Sequence, residues 1–174
     1  VDRFYSCPLC SPTRSALMTG RYPMRLGLGY TVVRPWANTG LPLDEHLMPQ
    51  SFLAAGYQTA MAGKWHLGHA RRAYFPGSRG FQSSYGHFNG AIDYYKHERE
   101  GGLDWHRNGK TLDEPGYSTE LIGAEAVRRI RERDKSKPLM LYVPFNAPHA
   151  PLQAPPALID KYARIADPTR RTFA

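Results

Sequence analysis

The segment from Ser118 to Val143 limits the fold more than any other part of this 174-residue chain. Ile122, Ala126 and Ile130 fall at i, i+4 and i+8 with Val127 beside them, which predicts an amphipathic helix over residues 118–133. Pro138 then opens Leu139-Met140-Leu141-Tyr142-Val143, a short apolar run of the kind that forms a buried strand. Upstream, the pattern predicts a helix from about Pro49 to Ala55, closed by Gly56, and a strand from Tyr57 to Ala62. Helix, strand, helix, strand is the signature of an α/β sheet, where ligands gather outside the carboxyl ends of strands. Both strands run into chemically active residues: Gly63-Lys64-Trp65-His66 after the first, Pro148-His149-Ala150-Pro151 after the second.

Near the start stands Cys10-Ser11-Pro12-Thr13-Arg14, continued by Leu17-Met18-Thr19-Gly20-Arg21. Ser11 is a good helix N-cap, Pro12 suits the first turn and Gly20 is a natural stop. Residue 10 is therefore expected just before a helix N-terminus, where free N–H groups and the dipole favour an anion. Arg14 follows one turn later. The only cysteines, Cys7 and Cys10, form Cys7-Pro8-Leu9-Cys10, which also fits a redox pair or half of a zinc site completed by His66 and His69.

With its extension through Arg21, the Cys10 segment resembles the signature of the type I sulfatases. Gly56-Tyr57-Gln58-Thr59-Ala60-Met61-Ala62-Gly63-Lys64-Trp65-His66 looks like the second signature of the same family. The setting of His149 resembles arylsulfatase B-like enzymes, as do Leu41-Pro42-Leu43-Asp44-Glu45, Arg79-Gly80-Phe81 and Asp93-Tyr94-Tyr95-Lys96-His97-Glu98. The resemblance implies an alkaline-phosphatase-like α/β fold and hydrolysis of sulfate monoesters of a sulfated sugar or glycosaminoglycan. It implies that a maturation enzyme oxidises Cys10 to formylglycine, whose hydrate is the nucleophile. A cysteine thiolate attacking sulfur would leave a thiosulfate ester with no easy exit, whereas an aldehyde hydrate can collapse and expel sulfate.

In the roles the resemblance carries over, Arg14 and Lys64 offset negative charge and Lys64 also contacts the sulfate. His66 takes the hydrate proton, and His149 binds sulfate and protonates the leaving oxygen. Calcium is implied as cofactor, with modified Cys10 as one ligand and acidic pairs outside this chain as the others. A phosphate or phosphonate ester hydrolase of the same superfamily is the alternative enzyme reading, and a Cys-x-x-Cys thiol or metal-binding module the non-enzymatic one.

The net charge of +8 and pI of about 9.7 suit an anionic substrate. The positive residues are scattered, and the densest group, Arg128-Arg129-Ile130-Arg131-Glu132-Arg133, reads as a solvated helix face rather than a nucleic-acid surface. Residues 69–117, rich in Gly, Tyr and His, read as a binding rim of loops with short elements. A short helix is expected from about Pro155 to Ala163, and no element after it. No apolar run is long enough to cross a bilayer. Residues 1–174 are expected to be part of a single catalytic domain, with a metal-binding strand before them and further sequence after. The family resemblance adds an expectation of export to a lysosomal, periplasmic or secreted location.

Overall fold

In the computed structural model, which describes residues 2–174, the chain forms a mixed sheet between two layers. Helices α1 (Cys10–Thr19) and α2 (Met48–Ala54) come first, then strands β1 (Gln58–Lys64) and β2 (Ser83–His87). Short strands β3 (Glu98–Arg99), β4 (Gly102–Leu103), β5 (His106–Arg107) and β6 (Lys110–Thr111) follow. Helix α3 (Ser118–Glu132), strand β7 (Leu139–Tyr142) and helices α4 (Pro156–Ile159) and α5 (Pro168–Phe173) complete the order. The main sheet runs β6-β5-β2-β1-β7, with β1 parallel to both β2 and β7 and an antiparallel edge at β5 and β6. The two strands predicted from sequence are thus neighbours, and their carboxyl ends open on the same edge.

Strand β1 is covered on both faces, so its alternation sorts side chains between two cores. Met61 joins Met18, Leu47, Trp65, Phe81 and Met140 beneath the first helices, and Ala62 joins Tyr85, Ile92, Trp105 and Ile122 on the α3 side. Burying each large side chain of this kind contributes roughly 1.5–3 kcal/mol.

Strand β2 lies inside the region read as loops. Its sequence, Ser83-Ser84-Tyr85-Gly86-His87, lacks the β-branched alternation that marks a strand. Close packing explains the composition: a Cβ on Gly86 would lie 2.2 Å from Gly63 O, and one on Gly63 would lie 2.1 Å from Pro144 O. Both glycines also hold positive φ, 122° and 135°. Glycine therefore lets the carboxyl ends of the central strands converge.

Helix α3 corrects another expectation. Ile122 and Ala126 are buried, but Val127 and Ile130 remain 45% and 47% exposed. The inward position is Glu125, only 4% exposed, which accepts hydrogen bonds from Arg107 at 2.9 Å, Arg128 at 2.7 Å and Arg129 at 2.7 Å. Part of the arginine run is therefore an ion-pair clamp, not a solvated face. The expected helix over 155–163 divides into α4 and a 3₁₀ turn at Asp160–Tyr162, because the chain tightens after Ile159. Helix α5, unexpected from sequence, starts where Asp167 accepts from Arg170 N at 2.6 Å and Pro168 takes the first turn.

Candidate active site

Cys10 is the first residue of α1, not the residue before it, and Leu9 stands at the cap with no side-chain hydrogen bond. Ser11 does not cap the helix. Its buried hydroxyl donates to His66 O at 2.9 Å and accepts from Val33 N at 3.1 Å, so a tertiary link has replaced the local one. Cys10 is half-buried and lines a cavity of about 330 Å³ with Cys7, Arg14, Leu17 and Tyr142.

Arg14 spans the parallel strands. Its Nη1 donates to Lys64 O at 2.6 Å and to Tyr142 Oη at 3.2 Å, tying α1 to the ends of β1 and β7. Lys64 is 3% exposed. Burial and then the charge of Arg14 pull its pKa down to about 8, against the opposing pull of neighbouring Cys10. Burial likewise lowers Arg14, opposed by Tyr142 and Cys10, though a guanidinium stays charged. No carboxylate among the described residues pairs with either cation. Two neighbouring positive charges, one buried and one half-buried, repel, and an anion placed between them relieves the cost.

His66 follows β1 with φ of 58°, a left-handed conformation that costs a non-glycine residue on the order of 1–2 kcal/mol. Several contacts hold it there. His66 N–H donates to Phe88 O at 3.0 Å, its carbonyl accepts from Ser11, and ring Nε2–H donates to Val33 O at 2.8 Å. Gly90 packs on the ring face, with room for no side chain: a Cβ there would lie 2.3 Å from His66 Cε1. Only Nδ1 is left, buried and without a partner in the chain. Burial first, then Lys64, pushes the imidazole pKa down to about 3, so His66 is neutral and Nδ1 carries a free lone pair.

His87 sits opposite Lys64 in the β1–β2 register and donates from Nδ1 to Asn89 O at 2.9 Å. It too is held neutral, with a pKa of about 3 set mainly by burial and opposed by Asp104. His149 has a different setting. It is exposed on the loop after β7, its Nδ1–H donates to Ala150 O at 2.7 Å, and its carbonyl accepts from Tyr94 Oη at 2.9 Å. Nε2 is thereby left outward, and no hydrogen bond among the described residues joins His149 to the cluster of Cys10, Arg14, Lys64 and His66.

Cys7 and Cys10 are both free thiols. The proposed zinc partners are otherwise engaged, His66 Nε2 with Val33 O and His69 Nε2 with Pro35 O. Among the described residues, no group of three or more His, Cys, Asp or Glu is placed to hold a metal ion. The described residues therefore form neither a closed zinc site nor a complete calcium shell. Ser11, Tyr142 and Gly90 are the site residues that sequence reasoning overlooked. A serine adjoining the cysteine and a lone tyrosine ending an apolar strand were the available signals.

The family relationship is direct. The Sulfatase family model matches residues 1–172. Arylsulfatase J of Mus musculus is 37% identical over 182 residues, covering 100% of this chain and 30% of that protein. N-acetylgalactosamine-6-sulfatase of Mus musculus is 35% identical over 173 residues, covering 87% of this chain and 33% of that one. The crystal structure of Ps i-CgsB in complex with k-i-k-neocarrahexaose superposes with a TM-score of 0.88 at 30% identity, covering 95% of this chain and 40% of the other. The chain belongs to the sulfatase family and has its alkaline-phosphatase-like α/β fold, spanning about a third of the length of the curated relatives it matches.

Proposed function

We propose that this chain carries the nucleophile, and part of the surrounding charge, of a sulfate-monoester hydrolase acting on a sulfated carbohydrate. Residues 1–174 belong, in this reading, to a single catalytic domain. The observation that carries the proposal is the convergence of two cations without a carboxylate partner, half-buried Arg14 and buried Lys64, on Cys10 at the start of α1. Such a pocket favours a small tetrahedral anion. The sugar is supported by the neocarrahexaose bound to the structural neighbour.

Cys10 is the precursor of formylglycine, made by a maturation enzyme, and the hydrated aldehyde supplies a hydroxyl nucleophile and a second hydroxyl that allows sulfate to leave. Arg14 and Lys64 stabilise the charge on the sulfate oxygens. His66 Nδ1, the one uncommitted atom of a fixed neutral ring, accepts the proton of the second hydroxyl. His149, in its doubly protonated imidazolium form, donates the Nε2 proton to the leaving oxygen, a role that rests on the family resemblance of its loop. Calcium, as implied by the family, would supply Lewis-acid chemistry at the sulfate and would take its ligands other than modified Cys10 from outside the described residues.

The test is Cys10→Ala in a protein of family length that carries this chain, assayed for sulfate release from sulfated saccharides and from 4-nitrophenyl sulfate. Release should disappear with folding intact. Unchanged hydrolysis would overturn the mechanism.

A further inference from the structure

His149 stands on a loop with little hold of its own. Phe145, Pro148, His149, Ala150 and Pro151 are all exposed, and the bond from His149 Nδ1–H to Ala150 O fixes the imidazole only against the loop itself. Among the described residues, every hydrogen bond that ties residues 145–154 to the rest of the chain ends on Asp93, Tyr94 or Tyr117. The placement of His149 therefore depends on a turn 55 residues earlier in the sequence, inside the Asp93-Tyr94-Tyr95-Lys96-His97-Glu98 segment.

Tyr94 is the hub of this turn, 1% exposed and with each of its polar groups engaged. Tyr94 Oη donates to His149 O at 2.9 Å, and Tyr94 N–H donates to Gln153 Oε1 at 2.8 Å. Tyr94 O accepts from Ser118 N at 2.8 Å, where α3 begins. Gln153 closes the clamp: its Nε2 donates to Asp93 Oδ2 at 2.8 Å, and its carbonyl accepts from Tyr117 Oη at 3.1 Å. The Tyr94 and Tyr117 rings stack with centroids 5.6 Å apart, and Ile92 roots the turn in the core with Ile122 and Trp105. The loop is thus pinned at two points, residues 149 and 153, to the layer that packs on β1.

The form of the clamp suits a catalytic group. One bond ends on the carbonyl of His149 itself, and both ends of the Gln153 amide are matched, its oxygen to Tyr94 and its nitrogen to Asp93. With His149 Nδ1–H committed to Ala150 O, Nε2 is the atom that gives the proton, and its place follows the His149 backbone. A general acid works only within hydrogen-bond reach of the oxygen it protonates, and a misplacement of about 1 Å lowers rates by on the order of a hundredfold. We propose that Tyr94 and Gln153 are positioning residues for His149, holding Nε2 at the leaving oxygen of the ester. They act through His149 and not on the substrate. The proposal rests on the acid role given to His149 above.

The experiment uses Tyr94→Phe, Gln153→Ala and His149→Ala in the family-length protein, with kcat/KM measured on aryl sulfates from 4-nitrophenyl to 4-methoxyphenyl sulfate. A good leaving group departs without a proton and a poor one needs it, so the loss of an acid grows as the leaving phenol becomes more basic. His149→Ala should lose on the order of a hundredfold at the basic end of the series and little on 4-nitrophenyl sulfate. Tyr94→Phe, which keeps the ring and removes one hydroxyl, and Gln153→Ala should each lose roughly tenfold in the same pattern. Adding either to His149→Ala should cost nothing more, because nothing is left to position. Thermal unfolding establishes that each variant is folded, and if Tyr94→Phe is not, Gln153→Ala decides alone. A steep His149→Ala series beside flat losses, or none, in the folded clamp variants would overturn the positioning role and leave the acid role standing. If His149→Ala itself shows no dependence on the leaving group, the acid role falls and the proposal with it. A wild-type protein that hydrolyses none of these esters would bring down the hydrolase reading and, with it, this one.

Discussion

Replacing Gly90 by alanine tests how tightly His66 must be held. The added Cβ would lie 2.3 Å from His66 Cε1, 2.7 Å from Nε2 and 3.0 Å from Nδ1. Ordinary contact begins near 3.4 Å, so the ring must withdraw by about 1 Å. That movement breaks the 2.8 Å bond from Nε2–H to Val33 O and leaves a buried donor unpaired, which costs about 1–3 kcal/mol. It also displaces Nδ1, and a misplacement of about 1 Å lowers rates by on the order of a hundredfold. Because His66 acts on a proton and does not grip substrate, kcat should fall while KM changes little. The assay is sulfate release at saturating substrate, paired with thermal unfolding to confirm that the variant is folded. Gly123→Ala is the control. Its Cβ meets nothing within 4 Å in mid-helix, so activity should hold and stability rise by about 0.5–1 kcal/mol. A folded Gly90→Ala protein with wild-type kcat would refute the role given to His66.

Two further outcomes follow from titration. Lys64, held below the ordinary lysine pKa of 10.5 by burial and the charge of Arg14, loses its proton early as pH rises, so kcat/KM should decline on an alkaline limb well below pH 10.5. A profile flat to pH 10 would contradict a requirement for charged Lys64. His66 and His87, both held near pKa 3 by burial, are neutral when folded but take protons near pH 6.5 when unfolded. The unfolded chain therefore binds more protons below that pH, and the stability from neutral burial, complete above about pH 6.5, is lost progressively towards pH 3. At pH 5 the loss is about 2 kcal/mol per histidine. Urea unfolding at pH 7.5 and pH 5 should show a lower midpoint at pH 5, and His87→Gln should narrow the gap. Finally, Glu125→Gln removes the charge that gathers Arg107, Arg128 and Arg129, and should destabilise by about 3 kcal/mol in denaturant titration, with activity retained once folded.

Much of the candidate site is legible in the sequence because its residues lie in local motifs. Cys10 and Arg14 share one helical turn, and Lys64 and His66 sit at a strand end, so local structure alone sets their spacing as candidates. Contacts made across long separations stayed hidden. Ser11 looks like a cap, yet its hydroxyl is spent on His66, 55 residues away. Tyr142 looks like one more apolar-strand residue, yet its hydroxyl supports Arg14. Strand β2 escaped because close packing at Gly63 and Gly86 removed the bulky residues that mark a strand. Glu125 shows the converse failure, since a helical stripe predicts apolar burial and cannot foresee an arginine from a distant hairpin neutralising a buried carboxylate. The histidine of the second strand-end loop was visible as a motif, but its exposure and separate hydrogen bonds were not.

The account stands most directly on the chemical state of residue 10. Mass spectrometry of the peptide containing Cys7 and Cys10, taken from a family-length protein produced beside a formylglycine-generating enzyme, reads that state. The prediction is an aldehyde at position 10, trapped as its hydrazone, with Cys7 still a thiol. An unmodified Cys10 in a protein that hydrolyses sulfate esters at full rate would contradict it, as would a Cys7–Cys10 disulfide in the active form.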